Sequence, residues 1–143
     1  MQECEVQSMH DTTITLFNRI PGEAYENDTY IATVIENVTA KLKYGAVSTV
    51  DGDEKSDSAM FSIRKDFLHD VSYREPKQYL SEIDKSGLFT LSKGDIIVVG
   101  DVKSEVMDST DLLKYLRNRY DNVFEIQAVS TFNLIPHWEV TAI

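Results

Sequence analysis

A single cysteine, Cys4, has no second thiol to pair with, so no internal disulfide holds this chain together and nothing in it demands an oxidising compartment. Histidine is nearly as scarce. His10, His69 and His137 lie far apart in sequence, and with a lone thiol they offer no zinc-ligand spacing, so no metal is expected. Long apolar runs are missing too. The longest, Ile96–Val99, is far too short to cross a bilayer, and no membrane partner is expected. The opening stretch MQECEVQSMHD carries early acids and lacks the basic start and apolar centre of a secretory signal, which points to a cytoplasm or a particle assembled there. Basic residues are outnumbered 14 to 24, for a net charge of −10. Such a surface repels phosphate and argues against DNA or RNA as an affinity partner, though not against DNA that merely passes by.

Recognisable catalytic chemistry is the next absence. In LSKGDIIVVG (Leu91–Gly100) a polar turn leads into four β-branched residues and a glycine, as at the start of a dinucleotide-binding unit. That unit needs G-x-G-x-x-G so that backbone can approach a pyrophosphate; only Gly100 is present, and Val102 and Glu105 fill the other glycine places. The Gly-Lys-Ser/Thr ending of a Walker loop is also absent. DGDEKSD (Asp51–Asp57) lacks the spacing and closing bidentate Glu of a calcium loop, and a solvated acidic loop is the simpler reading. Cys4 has no nearby base of predictable geometry, and His137 beside Trp138 reads as a hydrogen-bonded structural histidine. The expectation is a non-enzyme: no catalytic residue, no cofactor, no metal site.

What the chain does contain is strand periodicity. Its 143 residues, 42% hydrophobic, suffice for one domain with a core, expected to span 1–143 with 1–11 as a flexible arm. In TTITLFNRI, Ile14, Leu16 and Asn18 share one face and Phe17 takes the other. YIATVIENVTAKLKYGAV sets Ile31, Thr33 and Ile35 against Tyr30, Ala32 and Val34, and Asn37 marks a bend or bulge that breaks this strand in two. AMFSIRKDF alternates Phe61, Ile63 and Lys65 against Met60, Ser62 and Arg64. LFTL and DIIVVGDV flank the Ser92–Gly94 turn as a hairpin, in which Gly94 takes positive φ. VFEIQAVSTFN and HWEVTAI close the chain as strands. EPKQYLSEIDKSG has Pro at a helix start, Gly87 at its end and Tyr79, Leu80 and Ile83 on one stripe. DSTDLLKYLRNRY (Asp108–Tyr120) is the clearest helix: Asp108 or Ser109 caps it, Leu112, Leu113, Leu116 and Tyr120 share a face, and Lys114, Arg117 and Arg119 lie toward its C-terminal end. The fold class is mainly β: a small antiparallel, SH3-like β-barrel with one α-helix and long inserted loops. Ile14, Leu16, Val34, Ile63, Ile97, Val99, Phe124, Ile126 and Trp138 should lie in or beside one barrel core.

The order of these landmarks, ITLFNR, TYIATVIENVTAKL, an acidic loop, MFSIRKDF, SKGDIIVVGDV, VFEIQAVSTFN and HWEV, resembles small head and neck proteins of Gram-positive tailed phages and prophages, of the head-closure (stopper) type. The resemblance spans roughly Thr12 to Ile143 and is carried by Thr15–Arg19, Gly94–Gly100 and His137–Val140; the helix at Asp108–Tyr120 is longer than a minimal stopper barrel needs. It implies a structural component of the virion: a head-tail connector forming a homo-oligomeric ring around the DNA exit channel. Its partners would be copies of itself and the neighbouring neck proteins on the portal or adaptor side and on the tail side, with DNA passing through unbound. A tail-terminator or minor capsid protein of the same particle, and a small-molecule-binding barrel, are the alternatives. Two aperiodic segments bear on this. Phe67–Tyr79 brings Phe67, Leu68, Val71, Tyr73 and Tyr79 with no core assignment, so they are expected either to dock on a neighbouring subunit or to pack over the barrel's own end. Ala46–Ala59 brings Asp51, Asp53, Glu54 and Asp57, expected to face the channel or solvent.

Overall fold

A computed structural model describes residues 5–49, 52–55, 57–103 and 111–143. Six antiparallel strands close into a barrel in the order β1 (Glu5–Ile20), β2 (Thr29–Tyr44), β5 (Ser58–Arg64), β10 (His137–Ala142), β9 (Val123–Phe132), β8 (Ile96–Val99) and back to β1. Between them lie the hairpin strands β3 (Ala46–Thr49) and β4 (Gly52–Lys55), a 3₁₀ turn at Lys65–Phe67, the short strands β6 (Ser72–Tyr73) and β7 (Leu88–Phe89), and helices α1 (Pro76–Ser81) and α2 (Leu112–Arg119).

Alternation decides the interior. Ile14, Leu16, Ile35, Ala40, Leu42, Phe61, Ile63, Ile97, Phe124, Ile126, Trp138 and Val140 form one buried cluster inside the barrel, with Val99 packed against it. The opposite faces of β1, β8 and β9 carry Phe17, Ile96, Val98 and Val123, and α2 covers them from outside with Leu112 and Leu116. Both faces of the barrel's closing strands are therefore buried, which is why β8 is a continuous apolar run instead of an alternating one. Val34 belongs to neither cluster: on β2 the inward positions are Thr33 and Ile35, and Val34 is half-buried on the other face. The core assignment of Val34 is corrected accordingly.

β1 and β2 form one long hairpin with two register shifts. Going from Met9 to Thr12, β1 spends one residue more than its partner; going from Thr12 to Ile14, β2 spends one more. The extra residues coincide with Asp11 (φ 54°) and Asn37 (φ 59°), residue types that tolerate the left-handed region of the bulge. The two shifts cancel, so β2 runs as one strand and is not broken at Asn37. Residues 5–11 are not a free arm: Glu5–Met9 pair with Tyr44–Ala40.

Other expectations change for equally local reasons. Leu88–Phe89 pairs in parallel with Ser72–Tyr73, not across the Ser92–Gly94 turn with β8, whose partners are β1 and β9. Gly94 does hold positive φ, 95°, where an added Cβ would approach the Arg19 guanidinium. Gly100 leads out of a barrel strand, so LSKGDIIVVG is the barrel reading of the two. Helix α1 ends at Ser81, and of its expected stripe only Tyr79 is buried. Helix α2 is capped by Asp111, whose Oδ1 accepts from the Lys114 N–H at 3.1 Å; Asp108 and Ser109 lie outside the described residues. The acidic segment expected as a loop contains the two-stranded β3–β4 ribbon.

Trp138 is 4% exposed, with the Tyr73 ring 4.5 Å and the Phe89 ring 6.0 Å away between centroids and the Lys65 ammonium above it. Trp138→Ala should cost about 3–5 kcal/mol, read from the denaturant midpoint. Val34→Ala should cost well under half of that.

Candidate interaction surface

The functional geometry is best built from the polar groups inside and the apolar groups outside. On β1, Asn18 points into the barrel end. Its amide donates to the Thr90 carbonyl (2.7 Å) and to Asp95 Oδ2 (2.9 Å), and its Oδ1 accepts from the Thr90 N–H (3.2 Å). Asp95, 2% exposed, also accepts from the backbone N–H groups of Arg19 (2.9 Å) and Ser92 (3.0 Å). Desolvation pushes its carboxyl up from 3.8 to about 6; the hydrogen bonds from Arg19, Asn18 and Ser92 pull the other way and recover only part. Burial likewise pushes the neighbouring Tyr79 phenol up to about 12, with the Asp95 charge adding to it.

A raised carboxyl in an enzyme cleft would suggest an acid catalyst. Here the group is sealed and committed to backbone donors, an arrangement that fastens the Thr90–Asp95 segment to β1. On the other side of β8, Thr15 Oγ1 donates to the Gly100 carbonyl (2.7 Å) and accepts from the Val102 N–H (2.9 Å). Both ends of β8 are thus tied to β1 by side chains of β1.

The remaining sequence candidates scatter. His10 and His69 are exposed and far from each other in sequence; His137 stacks on Phe132 with its Nδ1 on the Ile135 carbonyl. Cys4 lies outside the described residues. No cluster of three His, Cys, Asp or Glu side chains able to hold a metal occurs among the described residues, and no helix there is long and apolar enough to cross a membrane.

The five expected docking residues separate into two groups. Tyr79 is 0% exposed and is corrected from interface to interior, while Tyr73 is half-buried and lies on Trp138 and Phe89. Leu68 and Val71 are half-buried against the barrel core, and Phe67 is 40% exposed beneath the Arg64 guanidinium. Phe67, Leu68 and Val71 form one wall of a groove of about 1020 Å³. The other wall is the outer edge of β2, Ile31 to Glu36, and Ile83, fully exposed, stands at its mouth with Lys85, Asp101 and Lys103. Of the acidic set, Asp57 Oδ1 accepts from the Gly45 N–H (3.3 Å) at the root of the β3–β4 ribbon. Asp53 and Glu54 lie on β4, paired in register with Ser48 and Val47, and Asp51 lies outside the described residues.

Sequence reading missed two surfaces. The β2 edge carries no sequence signal, because edge and centre strands alternate alike. The second is the turn joining β9 to β10, where Phe132 (41%), Leu134 (98%) and Ile135 (55%) are exposed together. Its signal was available: NLIP places two aliphatic residues in a turn, where polar ones are usual.

These features define a closed six-stranded antiparallel β-barrel with a filled interior, an outer helix and apolar groups presented on its exterior. The chain belongs to the family of unknown function DUF6751, whose model matches residues 9–143. No curated protein and no solved structure matches it.

The Asp95 tie gives a signed prediction. Its folded value of about 6 lies above its ordinary 3.8, so the folded state holds this proton more tightly. The contribution is fully present below about pH 4 and is lost as pH rises through 6. The stability difference between wild type and Asp95→Asn, measured by denaturant titration, should therefore widen in favour of wild type as pH falls from 7 to about 4. A difference that is flat or narrows over that range would contradict it.

Proposed function

We infer that this protein is a structural, non-enzymatic assembly component that works through its outer surface. The carrying observation is the distribution of apolar groups: the barrel interior is filled by Ile14, Phe61, Ile97, Phe124 and their neighbours, while Phe132, Leu134, Ile135 and Ile83 face water. A barrel that bound a small molecule inside would keep room for it. Exposed aliphatic side chains grouped at one turn instead suit a protein partner.

The finer reading is a head-closure or related neck component of a phage or prophage particle, forming a ring around the DNA exit channel. It rests on the order of landmarks along the sequence, and the acidic balance supports it. A net charge of −10 repeated around a ring gives a wall that DNA passes without sticking. In this reading the β9–β10 turn makes contact with the next layer of the neck.

Leu134→Ser combined with Ile135→Ser tests it. Both side chains are exposed, so stability should change by no more than about 0.5 kcal/mol, as is typical of surface changes, and the melting temperature should move little. Purified particles should contain the wild-type chain and lack the variant. Normal incorporation of the variant, or particles without the wild-type chain, would overturn the assignment.

A further inference from the structure

We propose that copies of this chain associate head to tail, the β3–β4 ribbon of one copy adding strands to the open edge of β2 in the next. The inference deepens the assembly reading above and rests on it for its biological setting, not for its geometry.

The acceptor is the first half of β2. The described residues from Thr29 to Glu36 have β1 as their one strand partner, because β5 joins β2 only from Thr39 to Lys43. The unpaired edge is not flat against solvent. It forms one side of the groove whose far wall is Phe67–Val71, leaving about 1020 Å³ beside a row of backbone donors and acceptors. An open edge of this kind is a template for a further strand.

The donor is the ribbon of Ala46–Thr49 and Gly52–Lys55. Among the described residues these strands pair only with each other. A lone two-stranded hairpin is marginal in water and gains from a third strand or a covering surface. The ribbon cannot serve its own groove. It leaves β2 at Tyr44, whereas the open edge centres on Thr33, about 35 Å back along the strand at roughly 3.3 Å per residue. Each ribbon strand reaches only about 13 Å at that rise. The occupant must come from another copy.

Charge permits the contact. Two bodies of net charge −10 repel, so a contact between them needs surfaces whose local charge is small. The groove offers Lys85 and Lys103 against Glu36, Asp70 and Asp101, close to neutral, while the donor segment brings Asp53 and Glu54 beside Lys55. Donor and acceptor are different surfaces, so the contact is heterologous. Such contacts continue from copy to copy and close into a ring when the rotation allows.

The full chain is tested by sedimentation against two variants. One replaces Ala46–Lys55 with a short Gly-Ser turn and keeps the groove; the other, Ile31→Lys with Val34→Lys, keeps the ribbon and blocks the edge with charge at positions outside both core clusters. Wild type should associate beyond the dimer with rising concentration. Each variant alone should remain monomeric, and the two mixed should form a one-to-one complex that grows no further. If the edge variant does not fold, the ribbonless chain still decides the matter: added to wild type it should shorten the assemblies, since it accepts a neighbour and cannot donate.

A monomeric wild type, a ribbonless chain that associates as wild type does, or one that leaves wild-type assemblies unchanged, overturns strand addition. Association in the expected pattern by a chain absent from purified particles sinks the particle reading and leaves strand addition standing. A chain present in particles whose ribbonless form is still incorporated and self-associates does the reverse.

Discussion

Closure of the barrel depends on a short ladder. β8 meets β1 over four residue pairs, Ile14–Phe17 against Val99–Ile96, and without that seam the sheet would be open. So few backbone pairs give little positional certainty, and β1 supplies the rest through two side chains. Asn18 reaches the turn before β8 through Asp95 and Thr90; Thr15 reaches the segment after it through Gly100 and Val102. The Asn18 amide, the Asp95 carboxylate and the Thr15 hydroxyl each find partners, which avoids a desolvation cost of about 1–3 kcal/mol apiece. The apolar packing then follows: with the seam fixed, Ile14, Leu16 and Ile97 face inward, and Phe17, Ile96 and Val98 form a floor for α2.

The same seam explains the placement of the outer surfaces. Because β8 occupies one edge of the second half of β1, and β5 one edge of the second half of β2, the long β1–β2 hairpin has its first β2 half left over. The groove is the space beside that remainder, walled by the segment that follows β5. β6 lays Tyr73 on Phe89 and Trp138 of the barrel core, and the 3₁₀ turn sets Lys65 over the Trp138 ring. Aromatic residues between strands thus serve two ends at once, Tyr73 inward and Phe67 outward, only a few residues apart.

Much of the barrel is legible in the sequence because strand alternation is a property of neighbours. The inward sets of β1, β5 and β9 follow from Ile14 and Leu16, Phe61 and Ile63, and Phe124 and Ile126 without knowledge of the fold. Where both faces are covered the signal weakens. In β2 the parity of Thr33 and Ile35 against Ala32 and Val34 is plain, but which set enters the core depends on where α2 lies. The parallel β6–β7 pair is only two residues long and carries no periodicity at all. Tyr79 and Ile83 read as one stripe, yet the helix ends at Ser81, so one is sealed and the other fully exposed. The groove was hidden for a different reason: its walls are Ile31–Glu36 and Phe67–Val71, and no local pattern states that they will face each other.

The paired bulges of the long hairpin have a consequence for how this sequence can change. Losing Asp11 alone, or Asn37 alone, would slide half of a sixteen-residue strand by one position, and in a sheet of period two that turns every side chain of that half from inside to outside. Losing both would leave each half in its present register, minus a twist between them. The two positions lie on different strands and carry no shared chemistry, yet an insertion or deletion at one is tolerable only in company with the other. Geometry couples them as a bolt and its nut, and the length of β1 before the bulge is locked to the length of β2 after it.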